Sequence, residues 1–312
     1  MLRLLGVLFA AATITDLPEL PQPIAGQFVG MLGNLLVVAG GSWWTAPPGE
    51  GGEKIWVDDI QVLEPGARAW RHAGKLPEPI AYGAAVSFPR RMVFLGGQNG
   101  DKISSTVKAI SDGFLRLSLP NLPEPLTNLS AARIGETIYA VGGQNTAASN
   151  HLWRLDSSEK QWTAGPDLPG EGRILASVVA CGGQLYVLGG AALTPARKYL
   201  KEAWTYHPKH GWQRLPDLPY PAAAAPVVCG SKQEPVLIGG DDGALAGQTV
   251  ANHPGFRRTV LQLSNGVWST KATVPIGLVT TGAVPWNDSI VIPGGEDRPG
   301  HRSSQVLRLN WK

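Results

Sequence analysis

The sequence is poor in charged residues. Only 16% of its 312 residues are Asp, Glu, Lys or Arg, and the formal net charge is +3. A disordered chain needs more charge and fewer apolar residues, so this composition excludes one. A helical bundle is also disfavoured, because Ala, Glu, Lys and Leu dominate in bundles. No more than two Lys or Arg residues follow one another, so no basic run predicts nucleic-acid binding.

Further absences narrow the function class. No apolar stretch reaches the roughly 18 residues of a membrane helix, so no membrane span is expected. No Cys/His cluster has the spacing of a zinc site. The chain also lacks a P-loop, a GxGxxG between a strand and a helix, and a Gly-x-Ser-x-Gly elbow. We therefore expect neither a metal nor a cofactor.

The N-terminus has the features of a targeting segment. Arg3 supplies one positive charge, and residues 4–12 form an apolar run that ends in small residues. This pattern predicts a signal peptide over residues 1–12, cleaved near Ala12, although it is shorter than the usual 15–30 residues. A periplasmic or secreted protein is then expected. The alternative is an apolar extension packed on the fold of a cytoplasmic protein.

Glycine is abundant, and two marks recur with it. A short apolar run that ends in Gly-Gly occurs six times. The pairs are Gly40-Gly41, Gly96-Gly97, Gly142-Gly143, Gly189-Gly190, Gly239-Gly240 and Gly294-Gly295. A Trp that precedes Leu-Pro or Val-Pro by a fixed gap occurs in four repeats, at Trp70, Trp162, Trp212 and Trp268. Arg116 takes that place in the second repeat.

A period near 50 residues with these marks resembles the kelch repeat, a four-stranded propeller blade. Gly-Gly suits a strand end where blades crowd the axis, and Trp suits the wedge between two blades. We therefore predict an all-β fold, a six-bladed kelch-type β-propeller over residues 13–312. The last repeat lacks its outer strand, so the N-terminal strand over residues 14–21 is expected to close the ring there.

The two cysteines hold equivalent places in neighbouring repeats. Equivalent points on adjacent blades are expected to lie beyond the roughly 7 Å Cα limit of a disulfide. We therefore predict that Cys181 and Cys229 are unpaired, small hydrophobic residues.

Functional residues are expected on one face of the wheel. Strand direction alternates within a blade, so the loop after each Gly-Gly and the loop between blades emerge together. Long loops on a rigid scaffold concentrate binding residues. The loops richest in polar and aromatic residues are those at 42–56, 241–256 and 296–302. The alternative is that these loops are only solvated. Trp43, Trp44 and Trp56 in the first loop disfavour that, because exposed tryptophans are costly.

Four segments resemble the N-acetylneuraminate epimerase (sialic acid mutarotase) family. They are GGSWWTAPPGEGGEKIWVDDIQVL (40–63), KLPEPIAYGAAVS (75–87), NHPGFRRTVL (252–261) and GGEDRPGHRSSQV (294–306). The last matches the family's Gly-Glu-x-Lys/Arg-Pro-Gly-x-Arg motif, with the same gap from Glu296 to Arg302. In unpermuted members that blade lies mid-chain, whereas here it lies last. The resemblance is therefore to a cyclically permuted branch.

The resemblance implies a cofactor-free isomerase that interconverts the anomers of N-acetylneuraminate or a related 2-keto sugar acid. It assigns the proton-acceptor role to Glu296 and a place in the site to Arg302. The chemistry agrees, because ring opening needs a base for the anomeric hydroxyl and an acid for the ring oxygen. Arg302 is predicted to clamp the sugar's carboxylate with its planar fork. The alternative is a surface salt bridge that pins the loop.

Supporting residues are predicted around this pair. The predicted substrate-binding side chains are Arg298, Lys54, Trp44, Trp56, Tyr82, Asp241 and His253. Each has a structural alternative, such as packing between blades for the tryptophans or loop hydrogen bonding for His253. His301 is a further candidate for the acid. The expected partner is a small-molecule sugar acid. The alternative function is a non-catalytic kelch propeller that binds a glycan or a protein.

Overall fold

The computed structural model describes residues 17–48, 50–114, 116–156 and 160–310, which form antiparallel sheets around one axis. The first blade contains β1 (Phe28–Leu32), β2 (Leu35–Ala39), β3 (Ser42–Trp44), β4 (Lys54–Trp56), β5 (Asp59–Leu63) and β6 (Arg71–Lys75). The second contains β7 (Ala84–Phe88), β8 (Arg91–Leu95), β9 (Gln98–Asn99), β10 (Lys102–Ile103), β11 (Val107–Ser111) and β12 (Arg116–Ser118). The third contains β13 (Ser130–Ile134), β14 (Thr137–Val141), β15 (Leu152–Leu155) and β16 (Thr163–Ala164).

The fourth blade contains β17 (Ser177–Cys181), β18 (Gln184–Leu188), β19 (Ala191–Ala192), β20 (Lys198–Tyr199), β21 (Ala203–His207) and β22 (Gly211–Leu215). The fifth contains β23 (Val227–Cys229), β24 (Pro235–Gly240), β25 (Arg257–Ser264) and β26 (Val267–Thr273). The sixth contains β27 (Val284–Trp286), β28 (Ser289–Pro293), β29 (Glu296–Arg298), β30 (His301–Arg302) and β31 (Val306–Asn310). One 3-10 turn (Asp112–Phe114) is present, and no helix in the described ranges has the length and apolarity to cross a membrane.

The apolar runs before Gly-Gly form the second strand of each blade. Four of the five residues of β2, β8 and β14 are buried, and so is every residue of β24 and β28. A strand covered on both faces needs such a continuous apolar run. The core lies between the blades, because six hydrophobic clusters each join two neighbouring blades.

Both residues of every Gly-Gly pair have positive φ, between 58° and 112°. Only glycine adopts such angles at little cost. Space is equally limiting, since a Cβ on Gly40 would lie 2.4 Å from the carbonyl oxygen of Ile80 in the next inter-blade segment. The expectation that Gly-Gly marks a crowded strand end is therefore confirmed.

A ring of backbone hydrogen bonds closes the wheel. Six residues, one before each innermost strand, form this axial ring: Gly26, Tyr82, Asn128, Leu175, Ala224 and Thr280. Each N–H donates to the carbonyl of its counterpart in the preceding blade, at 2.7–3.0 Å, and Gly26 completes the circle by donating to Thr280. All six have φ between 53° and 71°. The predicted six-bladed kelch-type propeller is therefore confirmed.

The four tryptophans of the repeat each lie against the preceding blade, where the indole N–H donates to a proline carbonyl. The pairs are Trp70–Pro18, Trp162–Pro120, Trp212–Pro166 and Trp268–Pro216, at 2.8–2.9 Å. The indole thus supplies both apolar contact and one hydrogen bond to the neighbouring blade. This is the wedge role predicted from the sequence.

The start of the described chain lies beside the last blade. The Leu20 N–H donates to the Ser304 carbonyl at 2.8 Å, and Ile24 forms a β-bridge with Ser303. Residues 14–16 of the predicted closing strand, and the predicted signal peptide over residues 1–12, lie outside the described residues. Export of the protein stays a prediction.

The prediction for the cysteines is wrong. Cys181 and Cys229 form a disulfide with a Cα–Cα distance of 5.5 Å. They end the innermost strands β17 and β23 of neighbouring blades. Blades converge at the axis, so equivalent points on innermost strands are much closer than equivalent points further out. The spacing of the cysteines in the sequence does not report this radial convergence.

Candidate functional site

The residue after each Gly-Gly lies at the same face of the wheel, which we call the mouth. Each pairs through a β-bridge with the residue that precedes an axial-ring residue. The six positions are Ser42, Gln98, Gln144, Ala191, Asp241 and Glu296. This pairing is the reason why loops after Gly-Gly and loops between blades meet at one face. It also places two carboxylates, Asp241 and Glu296, in adjacent blades of the mouth.

A cavity of about 580 Å³ opens at the mouth. Axial-ring residues, among them Tyr82, form part of its lining, and Glu296, Asp241 and His253 line it as well. A volume of this size suits a drug-sized or sugar-sized molecule. Four residues predicted from the sequence therefore share one cavity.

Glu296 and Arg302 are direct cross-strand partners in the hairpin of β29 and β30. The turn between them contains Pro299 and Gly300, and Gly300 has a φ of 76°. Pro followed by a residue with positive φ is typical of a tight turn. This turn explains the fixed gap between Glu296 and Arg302. The Gly300 N–H donates to Glu296 Oε2 at 2.9 Å. The hairpin thus fixes the carboxylate before any ligand arrives.

The guanidinium of Arg302 is enclosed, with a side chain 6% exposed. Nη2 donates to the Tyr82 hydroxyl at 3.0 Å, and Nε donates to the Ser42 carbonyl at 3.3 Å. Nη1 lies 2.9 Å from Glu296 Oε1 but makes no aligned hydrogen bond. The pair is therefore held by charge, and Oε1 keeps its hydrogen-bonding capacity for another group.

Lys54 lies in an aromatic box. Its Nζ is 4.3 Å from the ring centre of Tyr82, 4.5 Å from that of Trp56 and 5.7 Å from that of Trp44. Trp44 and Lys54 face each other across the β3–β4 hairpin. Cation–π contacts of this kind hold an ammonium group against ring faces. Tyr82 thus connects this aromatic box to Arg302, because its hydroxyl contacts Arg302 and its ring contacts Lys54.

The opposite wall of the cavity has a different character. Burial of Tyr199, together with its neighbour Asp241, raises the pKa of the Tyr199 phenol to about 12. Asp241 Oδ1 also accepts the Gly243 N–H at 2.9 Å. The guanidinium of Arg197 lies 5.0 Å from the Tyr199 ring centre and lines the cavity. This wall offers a cation at the surface and a phenol that holds its proton firmly.

His253 is buried, and its Nδ1 accepts the Gly255 N–H at 3.1 Å. The neutral ring therefore carries its proton on Nε2. Its ring centre lies 5.3 Å from that of Phe256. His253 thus has the loop-structuring role that the sequence left open, and it also lines the cavity.

Two residues of the Glu296 motif face away from this arrangement. Arg298 lies 3.5 Å from Asp297, and neither side chain lines the cavity. His301 Nδ1 lies 2.6 Å from Asp297 Oδ1, with its side chain 44% exposed. Within the described ranges, no group of three or more His, Cys, Asp or Glu side chains is placed to hold a metal ion.

Three residues of this site were not predicted from the sequence: Ser42, Arg197 and Tyr199. Ser42 was detectable, because it follows a Gly-Gly pair as Asp241 and Glu296 do. Arg197 and Tyr199 come from the β19–β20 hairpin, which has no motif and no exceptional length. Their place in the cavity depends on how the fourth blade meets the fifth.

Comparison with known proteins agrees with this architecture. Residues 125–169 match the family described as Kelch motif. N-acetylneuraminate epimerase of Haemophilus influenzae is 24% identical over 381 residues, which cover 96% of this chain and 93% of that protein. Kelch-like protein 25 of Homo sapiens is 26% identical over 192 residues, which cover 61% of this chain. The chain spans about a third (32%) of the length of that relative.

The solved structure titled "Structure of YjhT" has the same fold. It superposes with a TM-score of 0.75, covers 94% of this chain and 97% of the other, and shares 16% of residues. The cyclic order of the blades relative to the proteins named N-acetylneuraminate epimerase stays a prediction. The predicted resemblance is confirmed: along almost its whole length, this kelch-type propeller is similar to a protein named N-acetylneuraminate epimerase.

Proposed function

We propose that the protein is a cofactor-free sialic acid mutarotase. It would interconvert the α and β anomers of N-acetylneuraminate or a related 2-keto sugar acid. The observation that carries the proposal is the Glu296 carboxylate, which lines the mouth cavity and keeps Oε1 without an aligned donor. Similarity to proteins named N-acetylneuraminate epimerase supports the substrate class.

Glu296 is the proposed base. Ring opening requires removal of the proton from the anomeric hydroxyl, and a carboxylate held at hydrogen-bonding distance performs this step. The Gly300 N–H and the charge of Arg302 hold Glu296 in place. Mutarotation already proceeds slowly in water, so a positioned base that contributes about 10²–10⁴-fold is sufficient.

We assign the carboxylate of the sugar to Arg197. The sequence-based hypothesis gave this role to Arg302, but the three sides of that guanidinium already face Glu296, Tyr82 and the Ser42 carbonyl. Among the described residues that line the cavity, Arg197 is the side chain with a permanent positive charge. Arg302 then positions Glu296 and Tyr82 and makes no contact with the carboxylate of the sugar.

The test is anomer exchange followed by NMR with Glu296→Gln. The wild-type protein should speed the approach to anomeric equilibrium, and Glu296→Gln should lower kcat by about 10²-fold or more, because the amide cannot accept the proton. The melting temperature should stay close to the wild-type value. Wild-type protein that leaves the exchange rate unchanged would overturn the proposal.

The second candidate is a non-catalytic kelch propeller that binds a glycan or protein. The similarity to Kelch-like protein 25 over 61% of this chain favours it. The same NMR experiment decides, because a binding module would bind the sugar and broaden its signals without changing the exchange rate.

A further inference from the structure

Tyr82 lies between the Glu296–Arg302 pair and the cavity. Tyr82 lines the cavity, and its hydroxyl lies 3.0 Å from Arg302 Nη2 and 3.0 Å from Ser42 Oγ. It belongs to the axial ring, where its backbone is held at a φ of 61° by two hydrogen bonds of that ring. The phenol is therefore fixed by backbone and by side-chain contacts before a ligand binds.

The direction of the Tyr82 proton follows from its partners. A guanidinium only donates hydrogen bonds, so the Tyr82 oxygen accepts from Arg302. The phenol proton is then directed to Ser42 Oγ or to an acceptor inside the cavity. Ser42 is itself able to donate to Tyr82, which leaves the phenol proton for a ligand.

Arg302 connects this phenol to the base. The same guanidinium contacts Glu296 through Nη1 and Tyr82 through Nη2. When Glu296 takes a proton and becomes neutral, the charge of Arg302 loses its counterion. The guanidinium then favours a negative charge on the Tyr82 oxygen. Protonation of Glu296 and deprotonation of Tyr82 are thereby coupled.

We propose that Tyr82 is the acid that protonates the ring oxygen, and that Arg302 couples it to Glu296. The inference rests on the proposed mutarotase function. In the opening step the anomeric hydroxyl gives its proton to Glu296, and the electron pair of that O–H bond forms the carbonyl. The bond between the anomeric carbon and the ring oxygen breaks, and the ring oxygen takes the Tyr82 proton.

The products of this step are protonated Glu296, a Tyr82 phenolate and the open-chain keto acid. After rotation about the bond next to the carbonyl, the sugar hydroxyl returns its proton to the phenolate and attacks the other face. The carbonyl oxygen takes the proton from Glu296. Both residues regain their starting states, so no co-reactant is needed.

Other acids in the cavity fit less well. Tyr199 holds its proton firmly, because burial and Asp241 raise its pKa to about 12. His253 has its contacts in its own loop, with Gly255 and Phe256. Neither has a described contact with Arg302 that would couple it to Glu296.

The decisive variant is Tyr82→Phe, which removes one oxygen and keeps the ring. We expect kcat to fall about 10²-fold, as loss of a general acid does, with KM changed less than threefold. The matched control is Tyr206→Phe, which loses a hydroxyl in the packed wedge with Tyr139 and Trp212, outside the mouth. It should keep the wild-type kcat.

A second variant covers the case in which Tyr82→Phe folds poorly. Fluorotyrosine at position 82 keeps the hydroxyl and acidifies the phenol, so the alkaline limb of the kcat profile should move to lower pH. A structural role would leave that limb in place. Full kcat in folded Tyr82→Phe, or an unmoved limb, would overturn the Tyr82 role alone while Glu296→Gln stays inactive. Absence of any wild-type acceleration would overturn both proposals.

Discussion

Two enclosed Arg–Glu pairs in this wheel differ in what surrounds them. Arg173 has a side chain with no exposure, and its Nη2 donates to Glu202 at 2.8 Å. Its Nη1 and Nε also donate to the carbonyls of Gly189 and Glu171, at 3.2 Å each. Burial lowers the pKa of the Arg173 guanidinium, which Glu202 partly opposes.

The pair at the mouth leaves part of its capacity unused. Arg302 is almost as enclosed, but its Nη1 has no aligned acceptor, and Glu296 lines a cavity. A pair whose arginine is buried and fully hydrogen-bonded holds segments together, and removing that arginine leaves its acceptors without their donor. At the mouth, the Glu296 carboxylate lines a cavity and is therefore placed to interact with a ligand. The comparison therefore separates a framework pair from the pair of the proposed active site, although both consist of Arg and Glu in the sequence.

The largest expected effect on stability is at the framework pair. Arg173→Leu should lower the free energy of unfolding by about 2–4 kcal/mol, because it leaves two buried carbonyls without their donor. Glu202 then keeps only the Trp204 indole N–H at 3.4 Å and the charge of Arg214 at 3.8 Å. Urea denaturation measures this loss. The folded fraction should keep the wild-type kcat for anomer exchange, since Arg173 does not line the cavity. A loss below 1 kcal/mol would remove the contrast between the two pairs.

A smaller loss of stability is expected at the mouth. Arg302→Leu should cost about 1–2 kcal/mol, because Glu296 keeps the Gly300 N–H and access to water in the cavity. Its kcat should nevertheless fall about 10²-fold, as after removal of a charge-stabilising donor. Arg302→Lys, which restores charge without the fork, should recover part of the rate. Wild-type kcat in Arg302→Leu would show that the mouth pair is also framework.

The smallest effect on stability is expected at an exposed arginine. Arg197→Gln should change the free energy of unfolding by less than about 0.5 kcal/mol. KM for the sugar acid should rise about tenfold through loss of one charge-assisted contact. A decarboxylated analogue is the control, and its KM should not change. Equal increases for both sugars would exclude Arg197 as the carboxylate ligand.

Much of the fold was predictable because each blade is built from local signals. The Gly-Gly pairs and the tryptophans of four repeats marked strand ends and wedges, and both roles are confirmed. The disulfide was not predictable in this way. Whether Cys181 and Cys229 meet depends on their distance from the axis, which a repeat pattern does not report.

In the candidate site, too, local sequence predicted some residues, whereas others depend on contacts between blades. Glu296 and Arg302 were predictable as neighbours, because a Pro-Gly turn between them forms a hairpin within one short segment. Tyr82 was predicted as a substrate-binding residue but not as the acid, because its hydroxyl contacts come from the first and sixth blades. Arg197 was missed, since no local pattern distinguishes it from the exposed arginines elsewhere.

The sequence by itself determined the repeating blade, its turns and the pairing of Glu296 with Arg302 in the last hairpin. These features depend on residues that are close together in the chain. Only the tertiary structure decided which blades share the cavity and which cysteines meet. It also decided which of Arg173, Arg302 and Arg197 is buried, enclosed or exposed. Those properties depend on the closure of the ring, which brings together side chains from distant blades and sets how much water reaches each.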